Sequence, residues 1–277
     1  LALAFYTIKN NATSINLCNS APLLKPDILT LHDISFLVNS KFYSFRFRTF
    51  NTILLKFSML RVKCILTVSE YSKKEIINNF KSSLNKINVI YNGWQHFETF
   101  GEDDKIFVKC PKLIHNKYYF SMSSIARNKN FQWIVQVAKH NPNTTFAIAG
   151  GQNLKVFGES LDIGNLKNVI YLGYITDEEA KSLMRNCKAF LFPSFYEGFG
   201  IPPLEALSVG AKIIISNTSC LPEIYGDCAY YIDPYDYNVD LDKLMSIPVR
   251  NSKDVLNKYS WGKSANELWT LIKKYSN

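Results

Sequence analysis

Between residues 117 and 247 six short apolar runs alternate with helix-forming stretches, and few folds accept that alternation. The runs are Tyr118–Met122, Thr145–Ala149, Val169–Leu172, Lys188–Phe192, Ala211–Ser216 and Ala229–Ile232. Helical patterns lie between most of them, at Phe131–His140, Asp177–Asn186, Pro203–Val209, Leu221–Tyr225 and Leu241–Ser246. Thr176-Asp-Glu-Glu179 reads as a capping box that opens one helix. Short apolar strands between helices predict a parallel, doubly wound α/β sheet. Glycine and polar residues follow the strand ends at Ser123–Asn130, Gly150-Gly151, Gly173-Tyr174, Ser194–Gly200 and Asn217–Ser219. Ligands of open α/β sheets bind at that edge.

The densest of these segments is Glu197-Gly-Phe-Gly-Ile-Pro-Pro-Leu-Glu205. Proline suits a first helical turn, where its missing N–H costs nothing. The loop therefore delivers the chain to a helix N-terminus near Pro202, whose amides and positive dipole end favour a phosphate. Glu197 and Glu205 bracket that place. Carboxylates beside a phosphate site are useful when they accept hydroxyl hydrogens, so a ligand with phosphate and many hydroxyls fits: a nucleotide sugar.

Residues 1–93 are less regular but also α/β. Ile28–Leu31 and Cys64–Val68 read as strands ending in the polar turns His32-Asp33 and Ser69-Glu70, Ser72 as a helix start, and Val89–Tyr91 as a short strand closed by Asn92-Gly93. Residues 94–116 read as a linker with entry to the next domain, and Ser260–Tyr275 as an amphipathic helix. The 277 residues suffice for one large or two ordinary domains. A net charge of +9 suggests polyanionic partners: nucleic acid, an anionic membrane or phosphorylated substrates. The cysteines, at 18, 64, 110, 187, 220 and 228, lack metal or CxxC spacing and read as small apolar residues in a reducing compartment. No apolar run approaches the roughly 20 residues of a spanning helix. The opening Leu-Ala-Leu-Ala-Phe-Tyr lacks a basic flank and is too short for a signal peptide.

Jointly these segments resemble family 4 glycosyltransferases of GT-B fold. The EGFGIPPLE segment is similar to that family's E-x7-E motif, and Ser123-Ser-Ile-Ala-Arg-Asn-Lys129-Asn130-Phe to its donor-phosphate loop. Thr67–Ile76, Val89–Gly93 and Leu31-His-Asp33 resemble strand ends of its first domain, and Tyr259-Ser-Trp261 the start of its last helix. The match runs in order through residues 25–277. The resemblance implies two Rossmann-like doubly wound domains facing a cleft. Residues 1–108 would form a partial acceptor-side domain with helix 258–277 packing back on it, and residues 109–257 the nucleotide-sugar domain. The family's first domain begins with a strand and a Gly-rich acceptor loop that nothing here matches. The expectation is an N-terminally incomplete chain lacking about one hundred residues of that domain. Arg127 departs from the neutral residue common before Lys-Asn.

The implied reaction is retaining transfer of a hexose-type sugar (mannosyl, rhamnosyl or glucosyl) from a nucleoside-diphosphate sugar to a glycan or lipid-linked acceptor, in cell-surface polysaccharide synthesis. Lys129 becomes the donor-phosphate lysine, Glu205 accepts from ribose hydroxyls, Glu197 from sugar hydroxyls, and His32 lines the cleft near the transferred sugar. Glu197, Lys129 and His32 are the candidate catalytic residues. Arg127, Lys129, Tyr174, Glu197, Gly198, Phe199, Gly200, Ile201 and Glu205 are the candidate donor-binding residues. Arg127 offers a forked contact or is a loop-surface arginine; Tyr174 borders the base or simply packs; Asp33 reads as a turn cap rather than a base. No DxD-like motif occurs in a matching context, so no metal and no cofactor is expected. The segment Lys41–Lys63 carries basic residues and no acid, interleaved with phenylalanines. It reads foremost as a core helix with a solvated face, and alternatively as a surface touching an anionic membrane or lipid diphosphate. The expected location is cytoplasmic, peripheral on the inner face of the membrane. A catalytically incomplete nucleotide-sugar-binding remnant is the alternative. A nucleic-acid binder lacks any supporting signature, and an oxidoreductase lacks GxGxxG after a first strand.

Overall fold

The computed structural model describes residues 2–22, 24–80, 85–124, 126–151 and 166–275. The chain divides into two compact units. One comprises Leu1–Gly93, Glu197–Phe199 and Tyr259–Asn277, the other Trp94–Tyr196 and Gly200–Lys258. Residues 94–108, read from sequence with the first domain, pack in the second unit.

The first unit holds a four-stranded parallel sheet in the order β1 (Ile15–Asn16), β2 (Ile28–Thr30), β3 (Cys64–Thr67), β4 (Ile87–Val89). Side chains alternate across a strand, so Leu29 and Ile65 face one side while Ile28, Cys64 and Leu66 face the other. Helices cover both sides. On the first side lie Leu55 and Met59 of α3 (Phe45–Arg61) and Ile76 of α4 (Glu70–Asn79). On the second lie Leu268, Leu271 and Ile272 of the C-terminal helix Trp261–Tyr275, α12. Burial on both faces explains why β2 and β3 read as continuous apolar runs. A helix α1 (Ala2–Lys9) and a short α2 (Ser35–Val38) complete the unit.

Helix α3 packs one side on the core, as the favoured sequence reading expects, while its solvated side is largely apolar. Leu55, Ser58 and Met59 are its buried residues. On that solvated side Phe45 is 77% exposed, Phe50 67% and Leu60 68%, with Ile53 and Phe57 also exposed. Arg46, Lys56 and Arg61 are exposed among them.

The second unit is a six-stranded parallel sheet in the order β10-β9-β8-β5-β6-β7. Its strands are β5 (Tyr118–Met122), β6 (Thr145–Ala149), β7 (Val169–Gly173), β8 (Ala189–Phe192), β9 (Ile213–Ser216) and β10 (Tyr230–Ile232). In order of appearance this is 6-5-4-1-2-3, the Rossmann arrangement read from its far edge. Its helices include α5 (Lys105–Lys109), α6 (Phe131–His140), α7 (Asp177–Asn186), α8 (Ile201–Ser208), α9 (Leu221–Tyr225), α10 (Leu241–Met245) and α11 (Lys253–Lys258). The core on one side gathers Tyr119, Phe146, Ile148 and Leu191 against Trp133, Ile134 and Val137 of α6. Thr176 and Glu179 form the expected capping box: each side chain accepts from the other's amide, at 3.2 and 3.1 Å. Replacing such a cap by alanine typically costs about 1 kcal/mol.

Candidate functional site

In the second unit β5 and β8 are hydrogen-bonded neighbours, with Tyr119 opposite Ala189, although β6 and β7 separate them in sequence. From this pair the sheet grows outward in both directions, so the crevice beyond their carboxyl ends is the topological switch point, where such sheets bind ligands. Both motif loops leave the sheet there. The turn Arg127–Lys129 follows β5, and the segment leading to α8 follows β8.

Two contacts join these loops. The Phe195 amide donates to the Asn128 carbonyl at 2.8 Å. Asn130, buried and with φ 54°, donates through its side-chain amide to the carbonyls of Pro193 and Pro234, each at 3.0 Å. An asparagine tolerates the left-handed conformation, and its two amide hydrogens tie the ends of β5, β8 and β10 together. Lys129 sits between these ties. Its ammonium lies over the Phe192 ring, 5.6 Å from the centroid. The same ring edges Gly200, where an added Cβ would stand 3.5 Å from it. Lys129 and the start of α8 are therefore gathered around one aromatic ring.

Gly200 caps α8 with φ 86°. An added Cβ would also meet Leu221 at 2.8 Å, so both backbone and space call for glycine. Its carbonyl accepts from the Tyr225 hydroxyl. Prolines 202 and 203 carry no N–H, which leaves the Ile201 amide as the donor of the first three helical positions. Glu205 lies one turn further, buried, with Oε1 2.8 Å from Nε2 of His96. Burial raises its carboxyl above the ordinary range and the nearby Asp177 adds to this, while the His96 bond opposes both. Arg127 is exposed in the loop. Tyr174, just past edge strand β7, is 86% exposed. Residue 125 of the same loop lies outside the described residues.

The first unit gathers His32, Glu197, Gly198 and Phe199. A Cβ on Gly198 would lie 2.5 Å from the His32 carbonyl oxygen, closer than any side chain tolerates. The Ser69 hydroxyl caps α4 by accepting from the Ser72 amide and donates its own hydrogen to the Gly198 carbonyl at 2.7 Å. Ser72 in turn donates to the His32 carbonyl at 3.2 Å. Phe199 packs edge-on to Tyr259 at 5.4 Å between ring centroids. Glu197 is buried. The His32 ring donates from Nε2 to the Leu17 carbonyl at 2.9 Å, which leaves Nδ1 as the ring's lone-pair nitrogen in the neutral form. Asp33 caps the following turn, accepting from the Ser35 amide at 2.8 Å.

Among the described residues no group of three or more His, Cys, Asp or Glu side chains is placed to hold a metal. Two residues of this region escaped the sequence reading. Asn130 was seen only as the end of a motif. His96 lies in a segment taken for a linker, and its partner Glu205 is 109 positions away.

The model of the family described as "Glycosyl transferases group 1" matches residues 103–259, more than half of the chain. The O-antigen chain mannosyltransferase B of Escherichia coli is 29% identical over 223 residues, 77% of this chain and 58% of the relative. The O-antigen chain mannosyltransferase RfbU of Salmonella typhimurium is 27% identical over 225 residues, 79% of this chain and 60% of the relative. The chain thus spans less than two thirds of either protein. Among solved structures, Anabaena Alr3699/HepE in complex with UDP and glucose superposes with a TM-score of 0.74 at 16% identity, covering 98% of this chain and 74% of that one. Sucrose-phosphate synthase from Thermosynechococcus elongatus gives 0.71 at 17% identity, covering 89% and 67%. At these identities the likeness shows a shared fold, that of GT-B glycosyltransferases.

Proposed function

The chain belongs to the group 1 glycosyl transferases, and we propose that it moves a hexose-type sugar from a nucleoside-diphosphate sugar to a glycan or lipid-linked acceptor. The observation that carries this reading is the switch point of the second unit, where Lys129 and the start of α8 surround Phe192. A departing diphosphate needs positive charge that is already in position. The Lys129 ammonium and the Ile201 amide supply it, and loss of one such preorganised donor costs on the order of 3 kcal/mol of barrier. Glu205 takes hydrogen bonds from ribose hydroxyls and Glu197 from sugar hydroxyls, while Arg127 adds a forked contact to the phosphates. Tyr174 borders the base.

The names of the E. coli and Salmonella relatives support a mannosyl donor and a role in surface-polysaccharide assembly. We further propose retention of anomeric configuration without a required metal, the departing phosphate taking the acceptor proton and His32 lining the site of the transferred sugar. Thermal-shift measurements with a panel of nucleoside diphosphates test the binding half. Release of nucleoside diphosphate from the sugar donor, with and without EDTA and with glycan or lipid-linked acceptors, tests the transfer half. If no nucleoside diphosphate stabilises the protein, the reading fails. Binding without release would identify a nucleotide-sugar-binding protein instead.

No helix among the described residues is long and apolar enough to cross a membrane. Helix α3 nevertheless presents Phe45, Phe50, Ile53, Phe57 and Leu60 to solvent beside exposed Arg46, Lys56 and Arg61, with no acid on the helix. We propose that this face rests on an anionic membrane surface, where a lipid-linked acceptor is found, and that the protein works at the cytoplasmic face.

A further inference from the structure

Glu205 has a buried carboxylate whose two oxygens differ. Oε1 meets Nε2 of His96 at 2.8 Å, and Oε2 has no hydrogen-bond partner among the described residues. One oxygen is held and the other is available. The residue doing the holding is not in the core: the His96 side chain is 39% exposed, so its removal leaves little cavity.

What keeps His96 in place is the short turn Gln95–Thr99 around it. Two side-chain ties and one buried ring hold that turn within the second unit. The Trp94 indole donates from Nε1 to the Leu256 carbonyl at 3.0 Å. Phe97 is buried and meets Phe100 edge-on at 6.0 Å. The Lys181 ammonium, from α7, donates to the carbonyls of Phe97 at 3.1 Å and Phe100 at 2.5 Å. An irregular segment with this many anchors holds its exposed histidine in one orientation. That is a strong arrangement if the histidine has a task and a wasteful one otherwise.

We propose that His96 is a positioning residue for Glu205, fixing Oε1 so that Oε2 points its lone pairs at the vicinal hydroxyls of a bound pentose. The inference rests on the nucleotide-sugar reading of the site. Its physical basis is that a buried carboxylate with one anchored oxygen has lost its rotational freedom before the ligand arrives, so less is lost on binding. The charged groups around Glu205 point the same way. Burial and Asp177 of α7 both favour its neutral form, and His96 opposes them. Without His96 the carboxyl would stay protonated to higher pH and would compete as a donor for the hydroxyls it should accept from.

Two measurements on His96→Ala, His96→Gln and Glu205→Ala test this. The first is a carboxyl carbon NMR titration, with the Glu205 signal assigned by its loss in Glu205→Gln. The midpoint should rise in His96→Ala and return part of the way in His96→Gln, whose amide still donates. An unmoved midpoint overturns the inference whatever the protein binds. The second is calorimetry with UDP, GDP and inorganic pyrophosphate. His96→Ala should weaken nucleoside diphosphate binding roughly tenfold, leave pyrophosphate binding unchanged, and have no further effect in the Glu205→Ala background. Equal losses for both ligands, or additive effects of the two substitutions, overturn it. If the midpoint moves but the wild-type protein binds no nucleoside diphosphate, the pairing stands and the functional reading fails.

Discussion

The Phe195 amide donates to the Asn128 carbonyl at 2.8 Å, which joins the loops that follow β5 and β8. These strands flank the switch point, and each loop alone would be free to move. Joined, they form one wall, and the side chain of Asn130 adds a second seam to Pro193 and a third to Pro234. Lys129 stands between the seams, which fix the backbone on both sides of it, and its ammonium lies over the Phe192 ring.

Asn130 is the residue on which the wall depends most. Asn130→Ala leaves two buried carbonyls without their donor and puts a Cβ residue at φ 54° with no side-chain compensation. Each unsatisfied group costs about 1–3 kcal/mol, so the loss in urea unfolding free energy should be about 3 kcal/mol. Asn130→Gly removes the same bonds without the left-handed penalty, and should recover roughly 1 kcal/mol of it. Equal stability of Asn130→Ala and the wild type would show that the seams do not hold the loops.

Lys129 lies at the end of its loop, only partly buried. Lys129→Ala should lower nucleoside diphosphate affinity tenfold or more, by the roughly 1.5–3 kcal/mol of a charge-assisted bond. Inorganic pyrophosphate should lose affinity equally, unlike in the His96 variant, because in the proposed function the ammonium addresses phosphate and not ribose. The melting temperature should change little. Calorimetry and a thermal scan on one sample check both statements.

Two carboxylates of the second unit should bend the stability–pH curve in opposite senses. The Glu205 carboxyl is raised by burial. In the window above the ordinary carboxylate pKa and up to the raised one, the folded protein holds a proton that the unfolded chain has shed. The stability contributed by neutral Glu205 is thus full below that window and lost as pH rises through it. The Glu179 carboxyl is lowered by its bond from Lys109 and by the Thr176 amide. Its contribution is present above the ordinary pKa and lost as pH falls through the lowered one. Glu205→Gln should therefore flatten the decline across that window, and Glu179→Gln the decline in acid. Urea titrations from pH 3 to 8 would reject the assignment if the two variants shifted the curve in the same sense.

The legibility of these features in the sequence followed the physics of each. The inner strands β5, β6, β8 and β9 could be found because burial on both faces leaves apolar runs such as Ala-Phe-Leu-Phe192. The Thr176 capping box could be found because its chemistry is confined to four consecutive residues. The first unit was harder. Strand β1 has two residues, too few for any period. For helix α3 the period shows which residues share a side and not which side is covered, so its two readings stayed open in the sequence. The pairing of His96 with Glu205 was invisible because nothing local links a turn histidine to a helix 109 positions away. Asn130 was visible as a motif letter, but its role is set by three strand ends that meet only in the fold.

Thiol reactivity separates the cysteines. None forms a disulfide; Cys18 is exposed and Cys110 half-buried, whereas Cys64, Cys187, Cys220 and Cys228 are buried. Burial pushes the Cys187 thiol up to about 12, so almost no thiolate is available at neutral pH. In native buffer Cys18 should react rapidly with an aromatic disulfide reagent and Cys110 slowly, and the buried four only on denaturation. Rapid modification of Cys187, mapped by mass spectrometry, would contradict the packing of the second unit.

The exposed side of α3 makes the sharpest claim about where the protein works. Phe50, Ile53, Phe57 and Leu60 follow a spacing of three and four residues, which places them on one stripe, and Arg46, Lys56 and Arg61 border it. Water is a poor environment for such a stripe, and a basic border would be drawn to an anionic leaflet at about 1 kcal/mol per residue near the surface. Insertion of the rings into the headgroup boundary would add to this. The protein should therefore sediment with vesicles of phosphatidylglycerol and phosphatidylcholine and much less with phosphatidylcholine alone, and salt should weaken the association. Phe50→Glu combined with Phe57→Glu should abolish it without lowering the melting temperature, since neither ring contributes to the core. Vesicle binding that ignores lipid charge and survives the double substitution would remove α3 as the docking face. A concentration-dependent dimer lost on that substitution, with no vesicle binding at all, would assign the stripe to a second copy of the chain.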